Sequence, residues 1–374
     1  MSEIDVFVIA GEPSGDLHGA KLISSLLLRI PSLQVAAVSG PHMRKLPIQS
    51  LFSMENLSVM GFIDVFFAIP KIMRQFFVIR KKILQMNPKV VIFIDYPGFN
   101  LRIQKSLRKK GYQGKLIHYI CPSVWAWGKK RIPMMAETLD LLFTFFPFEK
   151  ECFAKTSLKV EHIGHPLVQF IHPPIEKRTQ TIAIFPGSRT KEIERNLPIQ
   201  IAVARSLQKE DPNLDIVISV SHPDKLPLIR SIAMDIPLVL DSYSLMKTAK
   251  LALATSGTVT LELALHETPT IVNFMIRPLD LFLAQKVFKI NLPFYCIVNI
   301  IAGYEIFPEF FGPNCTQGNI FQAAKDLMIR NPDFKKVRSL LTNKNASEEA
   351  VSLIVPFLSG EKSGSEPKEQ EKFQ

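Results

Sequence analysis

Two short apolar runs end in glycine turns of the kind that hold ligands. Val6-Phe7-Val8-Ile9-Ala10 enters Gly11-Glu12-Pro13-Ser14-Gly15-Asp16, and Ile182-Ala183-Ile184-Phe185 enters Pro186-Gly187-Ser188-Arg189. A buried strand closing on a Gly/Ser turn and then a helix is the form a ligand site takes in an open α/β sheet. At the second turn, N–H groups at a helix start, the Ser188 hydroxyl and the Arg189 guanidinium would make an anion site suited to a diphosphate leaving group. The plainer reading is a tight turn with a surface arginine. Thr255-Ser256-Gly257-Thr258-Val259-Thr260-Leu261-Glu262 repeats the pattern after the apolar run 251–254. Its hydroxyl and backbone donors suit a phosphate, and Glu262, one turn into the helix, could accept from a ribose diol. A capped helix start with Glu262 favouring the dipole is compatible with that role.

In the first half, Ile92-Phe93-Ile94-Asp95-Tyr96-Pro97-Gly98 sets a carboxylate at the end of an apolar strand. Such an aspartate suits a general base or hydroxyl orienter, and equally a cap for the next helix. Glu12, Ser14, Asp16 and His18 cluster in the first turn, each either facing a cleft or capping a helix. His118 and His165 stand alone, the latter in Ile163-Gly164-His165-Pro166. Residues 121–131, Cys-Pro-Ser-Val-Trp-Ala-Trp-Gly-Lys-Lys-Arg, hold both tryptophans beside three cations. They would bind sugars, phosphates or bases, or pack in a core; no recognised RNA-binding motif surrounds them.

In residues 59–86, Phe62, Phe66 and Phe67 precede Pro70; Lys71, Arg74, Arg80, Lys81 and Lys82 then interleave with Ile72, Phe76, Ile79, Ile83 and Met86. The spacing predicts a helix after Pro70. It reads either as an interfacial helix for an anionic membrane or as an amphipathic helix on the sheet. Asp64, Lys71 and Arg74 exclude a membrane-spanning segment.

These residues need a frame. The chain has 374 residues, 47% hydrophobic and 21% charged, enough for two domains with sizeable cores. A net charge of +11 favours anionic partners without choosing among them. The four cysteines form no Cys-x-x-Cys pair and fit a reducing cytoplasm, and the acidic start lacks the features of a secretory signal. Strands are expected at 5–10, 34–39, 89–94, 115–120, 140–146 and 159–163, and again at 181–185, 214–220, 237–240, 250–254 and 269–274. Alternation with helical stretches predicts an α/β protein with parallel sheets. The expected division is a domain over 1–171, a linker at 172–180, a second domain with C-terminal helices over 181–358 and a polar, disordered tail at 359–374. There is no Asp-x-Asp, no metal-ligand spacing and no Gly-x-Gly-x-x-Gly, so neither a metal nor a dinucleotide cofactor is expected.

Taken together, the chain resembles the lipid-A-disaccharide synthases. The resemblance rests on Ala10 to Asp16, Val59-Met60-Gly61, Ile94 to Asn100, Pro122-Ser123-Val124-Trp125-Ala126-Trp127, Phe146-Pro147-Phe148-Glu149, Ile163 to Pro166, Pro186 to Arg189, Ser256-Gly257-Thr258 with Glu262, and Asn299-Ile300-Ile301-Ala302-Gly303. It implies a GT-B fold, with two Rossmann-like domains facing across a cleft. It also implies an inverting, metal-independent transfer from UDP-2,3-diacylglucosamine to 2,3-diacylglucosamine 1-phosphate, giving a β-1,6 disaccharide 1-phosphate and UDP. Asp95 would then be the base and Arg189 the diphosphate ligand. Gly187, Ser188, Ser256, Gly257, Thr258, Glu262 and Asn299 would line the UDP site, with Glu12, Ser14 and Asp16 on the acceptor side. Phe62, Phe66, Phe67, Lys71, Arg74 and Phe76 would meet the cytoplasmic face of the inner membrane. A homodimer with exchanged C-terminal segments is implied, with no nucleic-acid partner. One departure stands at Phe310-Phe311-Gly312-Pro313, where the family pattern has a glutamine. Other GT-B enzymes acting on UDP-N-acetylglucosamine, a polyprenyl-linked transferase or a UDP-sugar 2-epimerase, are the alternative, and a basic RNA-binding protein is a third.

Overall fold

The computed structural model describes residues 3–57, 62–126, 128–173, 178–276, 292–329, 332–342 and 344–359, without the side chains of 62–69. The chain divides into two compact units, Met1–Gly164 with Lys344–Gln374, and His165–Asn343.

The first unit is built on a parallel sheet of β1 (Val6–Ala10), β2 (Val35–Ser39), β3 (Gln49–Ser53), β4 (Val90–Ile94), β5 (Lys115–Tyr119), β6 (Leu141–Thr144) and β7 (Lys159–His162). Their order is β3-β2-β1-β4-β5-β6-β7. Continuous apolar strands bury both faces, as a parallel sheet covered by helices demands. Alternate residues feed separate cores: Phe7, Ile9, Val91 and Phe93 on one face, Val6, Val8, Ile92 and Ile94 on the other.

The second core is completed by the helix Ala346–Ser359, whose Val351, Ile354 and Leu358 pack with Leu22, Ile23 and Leu26 of the helix Pro13–Arg29. Each such side chain contributes roughly 1.5–3 kcal/mol when fully buried. This corrects the expected boundary: the helix Ala346–Ser359 belongs to the first unit, because its apolar face completes that unit's core.

The second unit carries β8 (Thr181–Phe185), β9 (Asp215–Ser219), β10 (Leu238–Val239), β11 (Leu251–Thr255), β12 (Thr270–Phe274) and β13 (Glu309–Phe311), all parallel, in the order β10-β9-β8-β11-β12-β13. Both sheets therefore reverse direction beside their first strand, between β1 and β4 and between β8 and β11. A doubly wound sheet opens a crevice at that point, outside the carboxyl ends of the strands.

Four features differ from expectation. The edge strand β3 is polar and half-exposed, and the three-residue β13 follows a proline, so neither shows a buried apolar run. The helix Phe62–Met86 starts before Pro70 and runs through it; a proline removes one backbone donor, and the remaining ladder carries the helix past it. Within the expected linker, residues 174–177 lie outside the described residues. Arg178 instead anchors the second unit: it donates to the carbonyls of Ala249 (3.0 Å), His266 (2.9 Å) and Glu267 (2.6 Å). The tail from 360 and the Val59-Met60-Gly61 segment lie outside the described residues.

Candidate active site

In the second unit, the turns after β8 and β11 open into one pocket of about 420 Å³, within the ~300–1,000 Å³ typical of small-ligand sites. Gly187, Ser188, Arg189, Ser256, Gly257, Thr258 and Glu262 all line it. Gly187 has φ +107, a conformation side chains rarely adopt, and an added Cβ would meet Glu192 at 3.0–3.1 Å. Two helices, Thr190–Glu210 and Thr258–Leu265, begin at the pocket, so their unsatisfied N–H groups and dipoles serve it jointly. Arg189 precedes the first helix; its guanidinium is 81% exposed and pairs with Glu192 Oε1 at 2.5 Å. An exposed pair of this kind is weak, leaving the cation available to a stronger anion. Burial raises the Glu262 pKa, and a hydrogen bond from the Tyr243 hydroxyl (3.2 Å) opposes that rise. Anion donors in a single pocket, with Glu192 paired to Arg189 and Glu262 as a second carboxylate, suit a phosphorylated group carrying hydroxyls.

Sequence reasoning missed Ser219, Ser221, Ser242, Tyr243 and Met246, which also line the pocket. Ser219 and Ser221 were legible as small hydroxylated residues closing an apolar strand, as at 255–258; Tyr243 carried no such signal. Behind the pocket lies a buried amide chain. Asn196 accepts from Asn273 Nδ2 (3.1 Å) and from the Met275 N–H (2.8 Å), while Gln200 donates to Asn273 Oδ1 (2.8 Å). These bonds pin the helix Thr190–Glu210 to β12, which holds the β8 turn in place.

Asn299 does not line this pocket. It is fully buried, donates to the Phe307 carbonyl (2.8 Å) and accepts from the N–H groups of Ile306 (2.8 Å) and Phe307 (3.0 Å). The expectation of a UDP ligand there is corrected: the amide is consumed in ordering residues 303–309.

In the first unit, the ends of β1 and β4 bring Glu12 and Asp95 together. Asp95 and Tyr96 both have positive φ, +45 and +46, which costs of order 1–3 kcal/mol each. Asn100 stabilises this turn by donating to the carbonyls of Ile94 (3.2 Å) and Asp95 (2.7 Å). Gly11 is required beside it, because a Cβ there would lie 2.2 Å from the Tyr96 ring. Burial first, and the Glu12 charge second, raise the Asp95 pKa, as suits a carboxylate that accepts a proton. Glu12 and Ser14 are exposed in the turn. His18 is held neutral, its pKa lowered to about 4 by burial and Lys21.

Asp16 is not available to a ligand. It is fully buried and accepts from the N–H groups of Gly40 (2.8 Å), His42 (2.7 Å) and Met43 (3.2 Å). It orders the loop after β2, correcting its placement on the acceptor side.

Trp125 packs edge-on against Phe148 (5.4 Å) and bonds to Glu149, which burial pushes up to about 8; Trp127 lies outside the described residues. On the helix Phe62–Met86, Lys71 and Arg74 are exposed, but Phe76 is half-buried against Phe99 (6.0 Å). Phe76 is thus corrected to partial core, and the exposed apolar face is Met73, Phe77 and Val78. The side chains of Phe62, Phe66 and Phe67 lie outside the described residues. Among the described residues no helix is long and apolar enough to cross a membrane, and no three His, Cys, Asp or Glu groups are placed to hold a metal.

A family model described as lipid-A-disaccharide synthetase matches residues 6–352. A lipid-A-disaccharide synthase of Chlamydia trachomatis serovar D is 39% identical over 326 residues, covering 82% of this chain and 53% of that protein. The chain thus spans about half the length of the chlamydial relatives it matches. The synthase of Pseudoalteromonas translucida is 31% identical over 382 residues, covering 95% of this chain and 98% of its own. Among solved structures, the glycotransferase of kitacinnamycin aligns with a TM-score of 0.62 at 10% identity, covering 96% of this chain and 100% of that one. That likeness is one of fold, and it agrees with two parallel-sheet, Rossmann-like units of the GT-B class. The matched span contains both glycine turns, Asp95 and the pocket, and the chain belongs to the lipid-A-disaccharide synthetase family.

Proposed function

We propose that the protein is an inverting glycosyltransferase that joins UDP-2,3-diacylglucosamine to 2,3-diacylglucosamine 1-phosphate, releasing UDP and a β-1,6-linked disaccharide 1-phosphate. The observation that carries this reading is the pocket in which Gly187, Ser188, Arg189, Ser256, Gly257, Thr258 and Glu262 converge. The diphosphate lies on the two helix N-termini and recruits Arg189 from Glu192, while Glu262 accepts from the ribose. Bond cleavage leaves charge on the departing UDP and a cationic sugar ring. Preorganised donors at the diphosphate supply about 3–4 kcal/mol each toward that state. Asp95 takes the proton of the acceptor's 6-hydroxyl as it attacks the anomeric carbon from the face away from UDP. Burial and the neighbouring Glu12 raise its pKa, which makes it a better base.

The same reading puts the protein on the cytoplasmic face of an anionic membrane as a peripheral homodimer with exchanged C-terminal segments, with neither cofactor nor nucleic acid as a partner. Both substrates carry acyl chains and reside in the bilayer. Met73, Phe77 and Val78 beside Lys71 and Arg74 combine apolar and cationic groups for such contact. Mass spectrometry of products from the UDP-diacyl donor and the monosaccharide phosphate tests the reaction. A tetraacyl disaccharide phosphate is expected; hydrolysis or epimerisation of the donor without a disaccharide refutes the transfer.

A further inference from the structure

The wall of the second-unit pocket contributed by the helix Ser242–Thr248 has no role in the scheme above. Asp241 caps this helix by accepting from the Ser244 N–H (3.0 Å), and the Ser242 hydroxyl lies 2.6 Å from that of Ser219 at the end of β9. Tyr243 projects from this fixed first turn into the pocket. Its ring packs edge-on against His266, with centroids 5.7 Å apart and planes at 71°. His266 is buried; burial, with Arg178, Arg338 and Lys247 nearby, lowers its pKa to about 4 and keeps it neutral. The ring of Tyr243 is therefore held by an uncharged partner, and its hydroxyl reaches Glu262 Oε1 at 3.2 Å. Burial and the Glu262 charge raise the tyrosine pKa, so the hydroxyl keeps its proton and donates.

Glu262 has two carboxylate oxygens with about four acceptor sites between them. Tyr243 occupies one oxygen; among the described residues no other side chain bonds to this carboxylate. A carboxylate tethered at one oxygen is preorganised to receive a pair of hydroxyls, whereas a free one must be ordered on binding. We propose that Tyr243 is a positioning residue that gives the pocket its preference for a ribonucleotide over a 2′-deoxyribonucleotide, by turning Glu262 so that it receives the ribose diol. This rests on reading the pocket as a UDP site.

The test is calorimetric titration of the full chain with UDP and with 2′-deoxy-UDP, for the native protein, Tyr243→Phe and Glu262→Gln. The native protein should prefer UDP by about tenfold, the worth of one charge-assisted hydrogen bond. Tyr243→Phe keeps the ring against His266; it should weaken UDP about 5- to 10-fold and leave 2′-deoxy-UDP nearly unchanged, so that the preference collapses as it does in Glu262→Gln. If Tyr243→Phe weakens both nucleotides equally, or keeps the native preference, the tyrosine only packs and the proposal falls. If the native protein binds neither nucleotide, the UDP reading itself falls and takes this proposal with it.

Discussion

The two units place their candidate residues at the same point of the same topology and arrive at opposite chemistry. Between β8 and β11, glycine and hydroxyl turns expose backbone N–H groups to an open pocket, and the carboxylate Glu192 offsets an arginine. Between β1 and β4, the backbone is strained at Asp95 and Tyr96, an aromatic ring covers Gly11, and carboxylates crowd one another. The first arrangement attracts an anion; the second raises the affinity of a carboxylate for a proton. A doubly wound sheet therefore fixes where a site forms, and the residues immediately after each strand decide what it does.

The largest separation between the units should come from Asp95→Asn. Loss of the proposed general base should cost about 10²- to 10⁴-fold in turnover, measured with the two proposed lipid substrates present. Stability should hold or rise slightly. With its folded pKa raised, ionised Asp95 weakens the fold above its unfolded pKa, and asparagine removes that cost. Asp16→Ala should do the reverse. Removing an acceptor of three backbone N–H groups should lower the urea-unfolding free energy by about 3 kcal/mol. A stable Asp16→Ala with no turnover would return Asp16 to the substrate-binding residues.

A subtler effect concerns pH. The charge of Glu12 raises the Asp95 pKa, so Glu12→Gln should lower it and keep the base ionised further into acid. The acid limb of kcat/KM against pH should move to lower pH; an unmoved limb would mean that another group titrates. The smallest effect on chemistry should come from the helix Phe62–Met86. Met73→Ser with Phe77→Ser and Val78→Ser should release the protein from anionic vesicles in flotation assays with the fold intact. Phe76→Ser should cost stability instead, through its contact with Phe99.

Signals written within a few consecutive residues were legible in the sequence. Strands covered on both faces read as apolar runs, and the turns at 186–189 and 255–258 follow them directly, so both sheets and the pocket residues on those turns could be named. What escaped depends on contacts between distant segments. Asp16 differs from Glu12 only because the loop at 40–43 folds onto it. The Asn299 amide is taken by residues seven and eight positions later. Tyr243 reaches the pocket from a helix whose sequence carries no turn motif. β3 and β13 are edge strands stabilised by pairing with β2 and β12 rather than by their own hydrophobicity.

The central claim is the division of labour: a nucleotide held by the second unit and a base held by the first. It is tested most directly by calorimetric titration of UDP into the native protein, Asp95→Asn and Arg189→Ala. The account predicts native UDP affinity in Asp95→Asn and at least about tenfold weaker binding in Arg189→Ala. Equal weakening in both variants, or unchanged binding in Arg189→Ala, would contradict it.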